Sequence, residues 1–159
     1  MIQSLIALLL AAVQPAEAPT TPELTAPTFN HAQTQFTLRC GGCHGVTGRS
    51  PPREVPNLHG TAGYFLCTPE GREYLIRLPN VSRTGLSDPD LAEVMNYVAF
   101  GMGDGKTPKG AKPFTGAEVH ALRKTPLTGA DLMPTREKVV RKLVRSCGAP
   151  KEMLLYGKR

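Results

Sequence analysis

Tryptophan is absent from the 159 residues, and all aromatics together reach only 6%. A core of this size with so few rings is short of large, flat packing partners, which a bound cofactor would supply. Methionine is missing from the whole stretch between Met1 and Met95. Long apolar runs are missing as well: the longest candidate, residues 5–13, is too short to span a bilayer comfortably. Charged residues at 20% and hydrophobic residues at 40% exclude wholesale disorder and a multi-span membrane protein. What remains is one domain, rich in loops because it holds 16 Gly and 15 Pro.

Residues 1–18, MIQSLIALLLAAVQPAEA, have an apolar centre and end in Ala16-Glu17-Ala18, a small-x-small pattern expected of a cleaved signal peptide. No Lys or Arg precedes the apolar stretch, so a retained anchor is the other reading. Residues 19–27 are Pro- and Thr-rich and read as a linker. Beyond it, charge is unevenly placed: residues 19–105 hold six basic and eight acidic side chains, residues 106–159 thirteen basic and four acidic. In an exported protein this basic third is expected to meet an acidic protein patch or an anionic membrane surface rather than nucleic acid. A solvated basic tail would look the same.

The apolar spacing predicts an all-α chain. A helix is expected over 30–40, where Thr28 or Asn30 can cap and Phe29 and Phe36 share a face. A short one is expected over 70–77. The clearest starts at Ser87-Asp88-Pro89-Asp90, a capping signature followed by Leu91, Val94, Met95, Val98 and Ala99 at three- and four-residue spacing, and closes at Gly101. Thr115 to Glu118 forms a capping box opening a helix to about residue 124. A final helix is expected over 135–146, with Val139, Val140, Leu143 and Val144 as its stripe. Residues 45–63, dense in Gly and Pro, should be an ordered loop, and no stretch reads convincingly as a strand.

The chemistry is carried by Cys40-Gly41-Gly42-Cys43-His44. This is the haem c attachment signature, two thiols spaced for the two vinyl groups of one porphyrin and an imidazole next to them for the iron. A thioredoxin-like redox pair would need a βαβ context that the flanks lack. A structural zinc site would need a second ligand pair, and Cys67 and Cys147 stand alone. The other two cysteines are simplest as one disulfide in an oxidising compartment; two free thiols or an intermolecular bridge are the alternatives.

The run Cys43-His44-Gly45-Val46-Thr47-Gly48 followed by Val55-Pro56-Asn57-Leu58-His59-Gly60 resembles the bacterial monohaem class I cytochromes c, with their CxxCH-G-x-x-G loop and P-x-L-x-G segment. The resemblance covers about residues 28–103. It implies a cytochrome c-like helical fold around one covalent haem c bound through Cys40 and Cys43, with His44 as proximal ligand. It also implies that the carbonyl of Pro56 accepts a hydrogen bond from that imidazole, and that Tyr97 near the end of the 86–101 helix packs across the N-terminal helix. The domain would run over 28–113, and 114–159 would be a basic extension. His59, inside the P-x-L-x-G element, is expected to be structural rather than a ligand.

In that family a Met, often followed by Pro, precedes the C-terminal helix and binds the distal face, whereas here the equivalent place reads Leu78-Pro79. Met102, in the Gly-rich loop past the helix, is the candidate thioether. Met95, His120 and an open site walled by Leu75, Leu78 and Leu86 are the alternatives. The resemblance implies an exported carrier of single electrons, not an enzyme, serving a periplasmic dehydrogenase, oxidase or reductase with an acidic patch, and a peripheral membrane contact is a further option. An open distal site would instead imply a sensor of NO or CO, or a weak peroxidase. The long extension would also suit a haem subunit of a larger dehydrogenase complex.

Overall fold

The computed structural model of the chain describes residues 29–51 and 54–157; the expected signal peptide and linker lie outside them. Among the described residues every regular element is helical: α1 His31–Arg39, α2 Gly41–His44, α3 Pro69–Arg77, α4 Pro79–Ser82, α5 Asp88–Asn96, α6 Gly116–Leu122 and α7 Gly129–Ser146. Short 3₁₀ turns occupy Ala62–Cys67 and Lys151–Leu154.

Local chemistry explains the starts. Asn30 caps α1 in a reciprocal box with Gln33, each side chain bonding the other's backbone N–H at 2.9 Å. Thr68 and Pro69 open α3, and Ser87 with Pro89 opens α5. Thr115 opens α6. The last helix begins six residues earlier than its apolar stripe predicts, because Thr128 accepts from the backbone N–H of Asp131 and so sets a cap at 128. Pro134 falls inside it rather than before it. Its exposed position spares the ring a packed neighbour, and the helix loses one hydrogen bond there.

α1 and α5 cross, with Phe36 and Tyr97 edge-to-face at 5.8 Å between ring centroids. α3 lies against the Ala62–Cys67 turn and against α7, and α6 packs on α5. One hydrophobic core runs from Phe36 through Ile76, Leu91 and Val119 to Val140, Leu143 and Met153. Residues 114–157 are therefore built into the core rather than appended to it.

A disulfide and several charged ties hold that extension. Cys67 and Cys147 form a disulfide between the Ala62–Cys67 turn and the end of α7, the pairing the leftover thiols suggested. Arg72 on α3 grips Glu118 through two bonds of 2.5 and 2.7 Å, reaches the carbonyls of Lys112 and Pro113, and lies 4.1 Å over the ring of Phe114. Arg123 donates to the carbonyls of Ser82, Thr84 and Leu86 and to Asp88, all at 2.8–2.9 Å. Arg123 thus uses its charge inside the molecule, whereas lysines such as Lys106, Lys109, Lys124 and Lys151 stay exposed.

Candidate functional site

α1 ends at Arg39, and the chain turns at once into the single turn of α2, which carries Cys43 and His44, with Cys40 at its cap. Both thiols are free; Cys40 is half-buried and Cys43 exposed. Burial pushes the Cys40 thiol above its ordinary value, with Arg39 pulling the other way. A thiol that stays protonated is inert until something is brought to it.

His44 faces Pro56. Its Nδ1 lies 3.0 Å from the Pro56 carbonyl oxygen, and since a carbonyl can only accept, Nδ1 must carry the proton. The lone pair is thereby left on Nε2, the nitrogen an iron would take. Burial also holds the imidazole below its ordinary pKa, keeping it neutral, while the Pro56 bond acts in the opposite direction. Ser50 donates to the same Pro56 carbonyl at 3.2 Å and fixes the acceptor.

The loop that presents Pro56 needs glycine at two points. Gly45 has φ +70°, and a Cβ there would stand 2.6 Å from the Arg49 carbonyl oxygen. Gly48 has φ +73°, and a Cβ there would meet the Met102 sulfur at 2.6 Å. The Gly48 carbonyl accepts from the N–H groups of Leu58 and His59, which brings the P-x-L-x-G segment back under the motif. His59 itself contacts Arg49 at 3.1 Å and is not among the cavity residues, in line with its structural reading.

Cys40, Cys43, His44 and Pro56 open together on one cavity of about 640 Å³. Its wall is mostly apolar, with Phe36, Leu58 and Phe65 near the motif loop in sequence and Leu75, Leu78 and Leu86 from α3 and the segment beyond it. α5 contributes Leu91, Val94 and Met95, and Val98 in the turn that follows continues this stripe at helical spacing. That volume suits a large ligand. Two thiols on the rim, an imidazole with its outer nitrogen free and a greasy interior are the donor set and the surroundings a covalent haem requires, so the residues present fit the group.

Met102 is the sequence-predicted residue that the structure does not bring to this cavity. It is buried, 3% exposed, but its sulfur packs against Gly48 and its carbonyl accepts from Gly60 N–H at 2.8 Å. Continued α-helix would align position 102 with Leu91, Val94, Met95 and Val98. Instead the turn Tyr97–Gly101 is a π-helix, closed by Met102 N–H to the Tyr97 carbonyl at 3.0 Å. The extra residue per turn swings Met102 out of line with the cavity stripe. His120 is also elsewhere, exposed and 2.8 Å from Asp88. The cavity thioethers are Met95 and Met153, and the second of these, with Arg136 and Tyr156, comes from the extension. Sequence reasoning passed over Met153 because the resemblance ends near residue 103.

Two curated proteins, both cytochrome c-552 of Thermus thermophilus, are 34% identical to the chain over 119 residues. The match covers 64% of this chain and 91% and 80% of theirs. The chain belongs to the c-type cytochromes. No protein-family model matches it. As a cytochrome of this family it has the cytochrome c fold, and membership implies covalent haem and electron carriage rather than enzymatic turnover. The all-helical architecture and the α1–α5 crossing through Phe36 and Tyr97 accord with that fold.

Proposed function

We propose that this cytochrome is an exported carrier of single electrons between periplasmic redox proteins. The observation that carries the reading is the His44–Pro56 bond at the mouth of the shared cavity, directly beside the paired thiols Cys40 and Cys43. Cys40 and Cys43 would hold the porphyrin covalently, each through one thioether. His44 would offer Nε2 to the iron, and the Pro56 carbonyl holds the imidazole in register through Nδ1. When bound, the haem iron supplies the chemistry, gaining and losing one electron.

The rest of the chain keeps the cavity dry and stiff. Leu75, Leu78 and Leu86 wall it, and Arg123 clamps the 82–88 segment that bears Leu86. Met153, a thioether of the extension that lines the cavity, would be the residue to hold the iron opposite His44, in the place that the family fills from the segment before the C-terminal helix. Met95 belongs to the packed stripe of α5, whose partner α1 leads straight into the attachment motif. Met153 sits on a turn that packs with α7, away from that crossing. Export is supported by the disulfide, a bond that persists in oxidising compartments, and by the signal-like residues 1–18. Exposed Lys106, Lys109, Lys112, Lys124 and Lys151 would meet an acidic patch on the partner or an anionic membrane surface.

The second reading is a five-coordinate haem protein that binds NO, CO or peroxide, favoured by the displacement of Met102 and by the leucines on the cavity wall. Optical spectra of the ferric and ferrous protein decide between them. The carrier reading expects a far-red sulfur-to-iron band that Met153→Ala abolishes and that Met102→Ala and Met95→Ala leave in place. A high-spin spectrum with rapid CO binding in the unmodified protein would establish the open site instead.

A further inference from the structure

Arg136 is a charged residue buried in a greasy setting. It is 7% exposed, lines the haem cavity, and pairs with no carboxylate among the described residues. Its guanidinium donates to the Met153 carbonyl at 3.2 Å, contacts the buried Tyr74 hydroxyl, and lies 5.0 Å from the ring centroid of Tyr156. Those are neutral partners. They satisfy hydrogen bonds without cancelling a charge, and a buried cation left uncompensated is strongly unfavourable. No buried polar side-chain atom among the described residues lacks a partner, so any guanidinium nitrogen these groups do not engage opens onto free space. That space is the haem cavity on one side and a smaller one of about 180 Å³, beside Met133 and Val140, on the other.

The haem reading supplies the missing counter-charge, because the porphyrin carries two carboxylates of its own. We infer that Arg136 is the buried cation that binds a haem propionate, so that the C-terminal extension recognises the cofactor as well as covering it. The inference rests on the haem reading proposed above. Two other arginines border the cavity, Arg39 and Arg49, but both are exposed and already bonded, to Gln35 and His59 respectively. The remaining titratable groups on the wall are Cys40, Cys43, His44, Tyr74, Glu152 and Tyr156. None of these can serve as a permanent cation. Arg136 alone joins fixed positive charge to burial, and its planar fork matches a carboxylate.

The test compares the holoprotein with Arg136→Met, which keeps much of the volume and removes the charge, with Arg136→Lys, which keeps the charge and loses the fork, and with Arg49→Gln as a control. The reduction potential is measured against pH for each. Removal of the cation is expected to lower the potential throughout. It should also move the pH at which the potential begins to fall upward by about one unit or more, a tenfold loss of propionate acidity. Arg136→Lys should restore most of that shift, and Arg49→Gln should not reproduce it. An unchanged potential and an unchanged pH break in a fully haem-loaded Arg136→Met overturn the inference. So does a tenfold loss of azide affinity for the ferric iron without movement of the break, since Arg136 would then serve an iron-bound anion. If Arg136→Met does not fold, Arg136→Gln, which is neutral but can still donate to the Met153 carbonyl, takes its place: an unchanged potential and pH break in that variant overturn the inference, and an upward move of the break supports it. Absence of covalent haem from the unmodified protein, read on a denaturing gel, would count against the haem reading and not against Arg136 in particular.

Discussion

The sulfur of Met102 rests against Gly48, so closely that a Cβ on that glycine would lie 2.6 Å from it. This contact locks the loop of the attachment motif to the end of the α5 helix and takes Met102 out of the cavity. Gly48→Ala should therefore destabilise the protein by more than the 1–2 kcal/mol or so of placing an L-residue at positive φ, because it also strikes a buried side chain. Met102→Ala should cost about 2–5 kcal/mol, as for other buried methionines. In urea unfolding the double variant should lose less than the sum of the two, since removing the thioether removes the collision. Strict additivity would show that the contact is not the cause.

The Cys67–Cys147 bond closes a long loop, its ends 80 positions apart in sequence. Cys147→Ser should lower unfolding stability by about 2–5 kcal/mol. It should also increase proteolysis in α7 before the rest of the chain is cut. Equal protease sensitivity in the two proteins would mean that core packing alone holds the extension.

Asp88 gives a pH signature. The Arg123 guanidinium first, and then His120, hold its carboxyl below the ordinary carboxylate range. A carboxyl depressed in the folded state stabilises it fully above the unfolded value, and that contribution is lost as pH falls through the folded value. The stability difference between the unmodified protein and Asp88→Asn should thus be largest near neutrality and shrink toward about pH 3. Denaturant titrations at both pH values measure it, and a difference that did not change with pH would place the effect elsewhere.

Phe36 is the ring on which the α1–α5 crossing closes, 1% exposed and edge-on to Tyr97. Phe36→Ala should cost about 3–5 kcal/mol and loosen the cavity edge beside Cys40. A calorimetric loss well under that range would mean that the crossing repacks around the cavity.

The helices were legible wherever a cap stood before an apolar period. Asn30, Thr68, Ser87 and Thr115 each start an element within a residue or two of where the sequence suggests. The α7 start was misplaced because Pro134 reads as a boundary, although Thr128 and Asp131 spell a cap upstream of it. The short turns Ala62–Cys67 and Lys151–Leu154 have too few residues to show a period at all.

The attachment chemistry was determined by sequence alone, because two thiols and an imidazole within five consecutive residues need no distant partner to declare their purpose. The wiring around them was not. Whether Met102 reaches the cavity depends on one π turn, a difference of a single residue in helical phase that no composition or spacing encodes. Arg136 reads in sequence as one more basic residue of a charged tail, and only the packing of α7 against α3 removes it from solvent. Local pattern sets what a short segment can bind or cap. Burial, and with it the meaning of a charge or a thioether, is decided by which distant segment covers it.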